Sequence, residues 1–83
     1  MIETERGKVI DFLVQLEVLD EGRWRGFVRY NYAHGRPHRD LLYKEGKREK
    51  EWFEVEDLGR FINEVYQDLI KNFLVYAERM GYG

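Results

Sequence analysis

The stretch KVIDFLVQLEVLDEGRWRGFVRYNYA, residues 8–33, decides the fold. From Lys8 to Leu19, the residues Ile10, Phe12, Val14, Leu16 and Val18 alternate with Asp11, Leu13, Gln15, Glu17 and Leu19, mostly the period-two pattern of a strand with one buried face. Asp20-Glu21-Gly22 supplies the reversal, because glycine takes positive φ without steric cost. Arg23 to Ala33 then runs back, with Trp24, Val28, Tyr30 and Tyr32 expected on one face and Arg25, Phe27, Arg29 and Asn31 on the other. An antiparallel hairpin is the expectation.

Beyond the hairpin, His34-Gly35-Arg36-Pro37 reads as a loop, since proline fixes its own φ and pushes its predecessor into extended geometry. Arg39 to Lys44 reads as a short third strand, Glu45-Gly46-Lys47 as a turn, and Arg48 to Val55 as a fourth strand. After Asp57, a residue type suited to an N-cap, apolar side chains recur at helical spacing from Leu58 to Met80, and Gly81 is a C-cap candidate. The expected fold is a single α+β domain over residues 1–83: an antiparallel sheet of three to four strands, then one long C-terminal helix packed on a face. That helix would be roughly 33 Å long, and its apolar positions sweep roughly 220° of its circumference, more than one sheet face needs. The surplus predicts a homodimer through the helix, with Phe61, Tyr66, Ile70, Phe73 and Leu74 as the second apolar surface.

Composition excludes several chemistries. The 83 residues contain no cysteine and no serine, and Thr4 is the one threonine, so disulfides, thiolate metal sites and thiol nucleophiles are out and a hydroxyl nucleophile is nearly so. The longest apolar run, Phe73 to Ala77, is far too short to span a membrane, and the acidic N-terminus does not suit a secretory signal. A cytoplasmic protein with no membrane association is expected. Scarce Asn and Gln beside abundant Glu, Lys and Arg point to a thermophilic source.

The formal net charge of -2 hides an uneven distribution. Between Gly22 and Lys50 nine cations face three acids, a local +6 that leaves -8 for the rest of the chain. Clustered Lys and Arg concentrate anions, so RNA, DNA or an acidic protein could meet this segment, although a solvated strand surface carries the same charges.

The densest chemistry lies in Arg29-Tyr30-Asn31-Tyr32-Ala33-His34-Gly35-Arg36-Pro37-His38-Arg39-Asp40. Gly35 and Pro37 rule out the helical spacing that would align His34 and His38 on a metal, and the ligand spacing is irregular, so no metal and no cofactor are expected. An acid-base set fits better: His34 or His38 titrating near neutrality, Asp40 orienting it, and Arg25, Arg29, Arg36 and Arg39 holding phosphate. Such a set suffices for metal-independent RNA cleavage through the substrate's own 2′-hydroxyl. The competing expectation is that both histidines and Asp40 merely bond backbone across a turn. Both histidines neighbour turn residues, so a surface cost within about ±0.5 kcal/mol is expected on replacing either.

Arg29-Tyr30-Asn31, Ala33-His34-Gly35 and His38-Arg39-Asp40 resemble the hallmark of a family of short prokaryotic proteins, some of whose relatives look like the TumE-type toxins of toxin-antitoxin pairs. The resemblance implies a strand-then-helix fold, a functional group of Arg29, His34, His38 and Asp40, an RNA target and an antitoxin protein partner. Asn31 stands where many relatives carry Asp, which removes a carboxylate from any such mechanism. The alternative is a non-catalytic, dimeric binding or assembly module; whether the chain is an enzyme is left open by its residues.

Overall fold

The computed structural model describes residues 1–33 and 35–82. Among these, β1 (Ile2–Glu5), β2 (Lys8–Asp20), β3 (Arg23–Ala33), β4 (Arg36–Leu42) and β5 (Arg48–Trp52) form an antiparallel sheet in the order β1-β2-β3-β4-β5, and α1 (Leu58–Met80) follows. The chain is thus α+β, with a sheet followed by a C-terminal helix. Five strands replace the expected three to four. The extra one is β1, whose residues are exposed throughout and therefore carry no apolar alternation to read. Arg6 and Gly7, at φ 52° and 79°, form a two-residue turn with both positions left-handed, the hairpin geometry that Glu21 and Gly22 repeat at 51° and 78°.

The third strand begins earlier than expected, at Arg36, and takes in Pro37. A proline inside a sheet normally forfeits a ladder bond. Here the Pro37 carbonyl accepts from Phe53 N at 3.0 Å, so its nitrogen also faces β5, at the point where β5 ends, and the ladder to β3 is untouched. The fourth strand stops at Trp52 rather than Val55 because Phe53 turns inward to the helix, its ring 5.3 Å from that of Phe61.

Leu16 pairs with Val28 but Glu17 pairs with Gly26, so Phe27 is the extra residue of a β-bulge. The bulge shifts the phase of β3. Phe27 joins Val28 and Tyr30 in the core, against the expectation that it shares a face with Arg29, and packs edge-on to Tyr82 with ring centroids 5.5 Å apart. Below the bulge Arg25 pairs with Val18 and Trp24 with Leu19, so Arg25 is on the helix side and Trp24 is not aligned with Val28.

The helix begins and ends where local chemistry dictates. Asp57, extended at φ -125°, accepts from Arg60 N at 3.2 Å, and Gly81, at φ 93°, sends its N–H back to the Ala77 and Glu78 carbonyls. The buried side chains of α1 are Ile62, Val65, Leu69, Tyr76 and Met80, which meet Phe12, Phe27, Val28, Tyr30 and Leu41 of the sheet. Between these layers sits one polar knot: Tyr30 Oη donates to Asp68 Oδ2 at 2.8 Å, Tyr76 Oη donates to the same oxygen, Asn72 Nδ2 donates to Asp68 Oδ1 at 2.9 Å, and Arg39 Nη1 donates to Tyr76 Oη at 3.0 Å. Burial, and then the bond to Asp68, pushes both tyrosine hydroxyls above their ordinary pKa. No helix among the described residues is long and apolar enough to cross a membrane.

Candidate functional site

The helix covers one side of the sheet and leaves the other open. Strand register assigns its residues. Arg29 pairs with Asp40 and Asp40 with Lys50; Asn31 pairs with His38 and His38 with Trp52; Arg36 lies two residues before His38 on β4. These side chains share the outer face, because register partners point the same way and alternate residues point oppositely. Arg48, two residues before Lys50 on β5, extends the same row and is exposed.

His38 and Asp40, two apart on β4, are brought together: His38 Nε2 lies 3.2 Å from Asp40 Oδ2. Asp40 Oδ1 is 3.7 Å from Lys50 Nζ. The histidine ring is 4.8 Å from the Trp52 ring and only 4% exposed, which corrects the expectation of a loosely held surface histidine. Nε2 faces Asp40, and among the described residues Nδ1 is a buried nitrogen without a hydrogen-bond partner, as is the buried oxygen Oδ1 of its cross-strand neighbour Asn31. Neither ring nitrogen is presented to a substrate. The ring instead backs Trp52, which remains 39% exposed and holds Arg36 Cζ at 5.6 Å and Lys50 Nζ at 5.5 Å from its ring centre. Arg36 also reaches Glu54 at 3.0 Å, an exposed pair that contributes little. Arg29 is steadied by donating from Nε to Gln15 Oε1 at 3.1 Å.

Of the four arginines expected to clamp phosphate, Arg29 and Arg36 are on this face and the other two are not. Arg39 points to the helix, where it donates to Tyr76 and to Glu51 Oε2 at 3.3 Å and lies 6.0 Å from the ring centres of both Tyr30 and Tyr76. Arg25 pairs with Asp20 at 3.5 Å at the far end of the hairpin, where Lys44 also reaches that carboxylate at 3.3 Å. His34, the other expected acid or base, lies outside the described residues. Trp52 and Lys50 were not legible as site residues. Their membership depends on β5 lying beside β4, and the aromatic placed among basic residues at Arg48-Glu49-Lys50-Glu51-Trp52 was the available signal.

Among the described residues no three His, Asp or Glu side chains cluster as metal ligands. The face is a shallow array: a partly exposed indole ringed by guanidinium and ammonium groups. It can stack a planar group and neutralise neighbouring negative charge. No curated protein and no solved structure matches the chain. A family model does match, over residues 1–81, and the chain belongs to that family, the domain of unknown function DUF7718.

Proposed function

We propose that the outer face of β3, β4 and β5 binds single-stranded RNA, with Trp52 stacking on a base and Arg29, Arg36 and Lys50 meeting the flanking phosphates. The observation that carries this reading is the half-exposed Trp52 between Arg36 and Lys50 on an open sheet face. Stacking on an exposed aromatic contributes roughly 1 to 3 kcal/mol per base, and it tolerates any sequence because every base has a π-face. Cations already over the indole can swing to phosphate without leaving the site, since both side chains are about half exposed.

The arrangement supports binding better than cleavage. His38 spends one nitrogen on Asp40 and buries the other, so its role is to hold Trp52 upright, and Asp40 fixes the ring. A ribonuclease version of the reading would rest on His34. Within a toxin-antitoxin setting, the face would hold a message or a tRNA loop, and an antitoxin protein would act by covering it.

The test uses a chain in which Trp24→Phe leaves Trp52 as the remaining tryptophan. Titration with a short single-stranded RNA should quench its fluorescence, and three phosphate contacts should give a salt slope of about -2 in log K against log [salt]. Arg36→Gln with Lys50→Gln should flatten that slope. Absence of quenching at low salt, or affinity unchanged in the double variant, refutes the reading.

A further inference from the structure

We infer that two copies of the chain join edge to edge through β2, continuing the sheet across a two-fold axis at Leu16 and packing their α1 helices side by side over the junction. Two independent observations lead there. The first is an open strand edge. β1 covers β2 only from Lys8 to Phe12, and Met1 then exchanges both backbone bonds with Leu13, at 2.6 and 2.7 Å. In an antiparallel ladder alternate residues point their N–H and C=O to the same side, so Gln15, Glu17 and Leu19 aim theirs past the end of β1, where no strand among the described residues lies. An edge of this length is a template for another strand, and natural sheets usually block it with proline, lysine or a bulge. The uncovered stretch of β2, from Val14 to Asp20, has none of these: the bulge opposite Leu16 is on β3, and the one at Ile10 lies under β1.

The second observation is apolar surface on the same side of the molecule. Tyr66, Ile70, Phe73 and Leu74 recur along α1 with spacing i, i+4, i+7, i+8, beside the core stripe rather than within it, and Ile70 and Leu74 are 66% and 67% exposed. Phe61, expected on this surface, belongs instead to the core with Phe12, Tyr30 and Phe53. Phe73 and Leu16 both line each of two grooves, of about 730 and 350 Å³, formed between α1 and β2. Trp24 and Leu19 line the larger. Ile70 and Leu74 at two-thirds exposed, with Phe73 at 50% and Tyr66 at 41%, give the α1 strip the continuous apolar exposure that marks an interaction surface.

The occupant that fits both features at once is a second copy. With the axis at Leu16, Gln15 meets the partner's Glu17 as a hydrogen-bonded pair, and Val14 meets the partner's Val18 on the helix side. No carboxylate then faces its own copy. The same axis passes through the two grooves that Leu16 and Phe73 share, so the strip on α1 meets its equivalent running the other way. Both outer sheet faces stay open, and the assembly presents two basic faces along one continuous sheet.

Sedimentation of the wild-type chain at tens of micromolar should show a dimer. Glu17→Pro removes an edge N–H that the single chain leaves to solvent, and Leu74→Glu places charge on the strip. Each variant should sediment as a monomer while keeping its circular dichroism spectrum and unfolding cooperatively. Because the chain has no cysteine, Leu16→Cys supplies a background-free probe, and mild oxidation should link two copies through cross-strand neighbours. A wild-type monomer at 100 µM overturns the inference, including one that instead sediments with lipid vesicles. A dimer that survives Glu17→Pro, or one that Leu16→Cys fails to link, overturns the edge-to-edge geometry.

Discussion

Replacing His38 by Asn separates a structural from a surface role, and its magnitude follows from the contacts. The substitution removes a nearly buried ring, its contact with Trp52 at 4.8 Å, and a polar contact with Asp40 at 3.2 Å. The polar contact with Asp40 is partly screened, because Asp40 keeps Lys50 and some solvent, so its loss costs about 1 kcal/mol. Loss of aromatic packing against Trp52 adds roughly 1 kcal/mol. The expected cost is about 2 kcal/mol, which for a domain of this size lowers Tm by about 8 to 16 °C. Thermal unfolding followed by far-ultraviolet circular dichroism measures it directly. RNA affinity should fall with the disorder of Trp52 and should be recovered by a variant that restores an aromatic ring at position 38. A cost below about 0.5 kcal/mol would mean that the ring is not packed as described, and the argument that His38 supports Trp52 would fail with it.

The knot at Asp68 makes two further predictions. Asp68→Ala leaves the Tyr30 and Tyr76 hydroxyls and the Asn72 amide without their acceptor, and should destabilise by about 2 to 3 kcal/mol, whereas the triple change with Tyr30→Phe and Tyr76→Phe should recover part of that loss; equilibrium urea unfolding of the three proteins tests the pattern. Because burial and the Asp68 bond raise both tyrosines above their ordinary 10.0, the folded chain holds their protons more tightly than the unfolded one. Their stabilising effect is therefore complete below about pH 10 and declines as the pH rises further. Stability measured at pH 8 and pH 11 should fall steeply in the wild type and less in Tyr30→Phe; equal slopes would show that Tyr30 does not carry the linkage.

Several features were legible because they are local. The β2–β3 hairpin was readable from alternation and the glycine of its turn, and Asp57 and Gly81 marked the helix ends because caps answer to the first and last few backbone groups alone. The strip along α1 was readable as apolar surplus. What failed was each inference that needed a neighbour. β1 carries no pattern, since neither of its faces is buried. Pro37 looked like a strand breaker, and only the end of β5 beside it makes its missing N–H harmless. Phe27 was assigned to the wrong face because a bulge inserts one residue and inverts the alternation beyond it.

By itself, then, the sequence determined the α+β order of elements, the turns, the helix caps and the concentration of positive charge between Gly22 and Lys50. It did not determine which of those charges act together. A period of two sorts neighbours along one strand onto opposite faces, but which face the helix will cover, and which residues of other strands join each face, are settled by register and packing. That is why Arg36 and Arg39, three residues apart, end on opposite sides of the sheet, one over Trp52 and the other among Tyr30, Tyr76 and Glu51. It is also why His38, bordered in sequence by proline and arginine, is buried: the wall that covers it is Trp52, supplied by a strand that only the tertiary structure brings alongside.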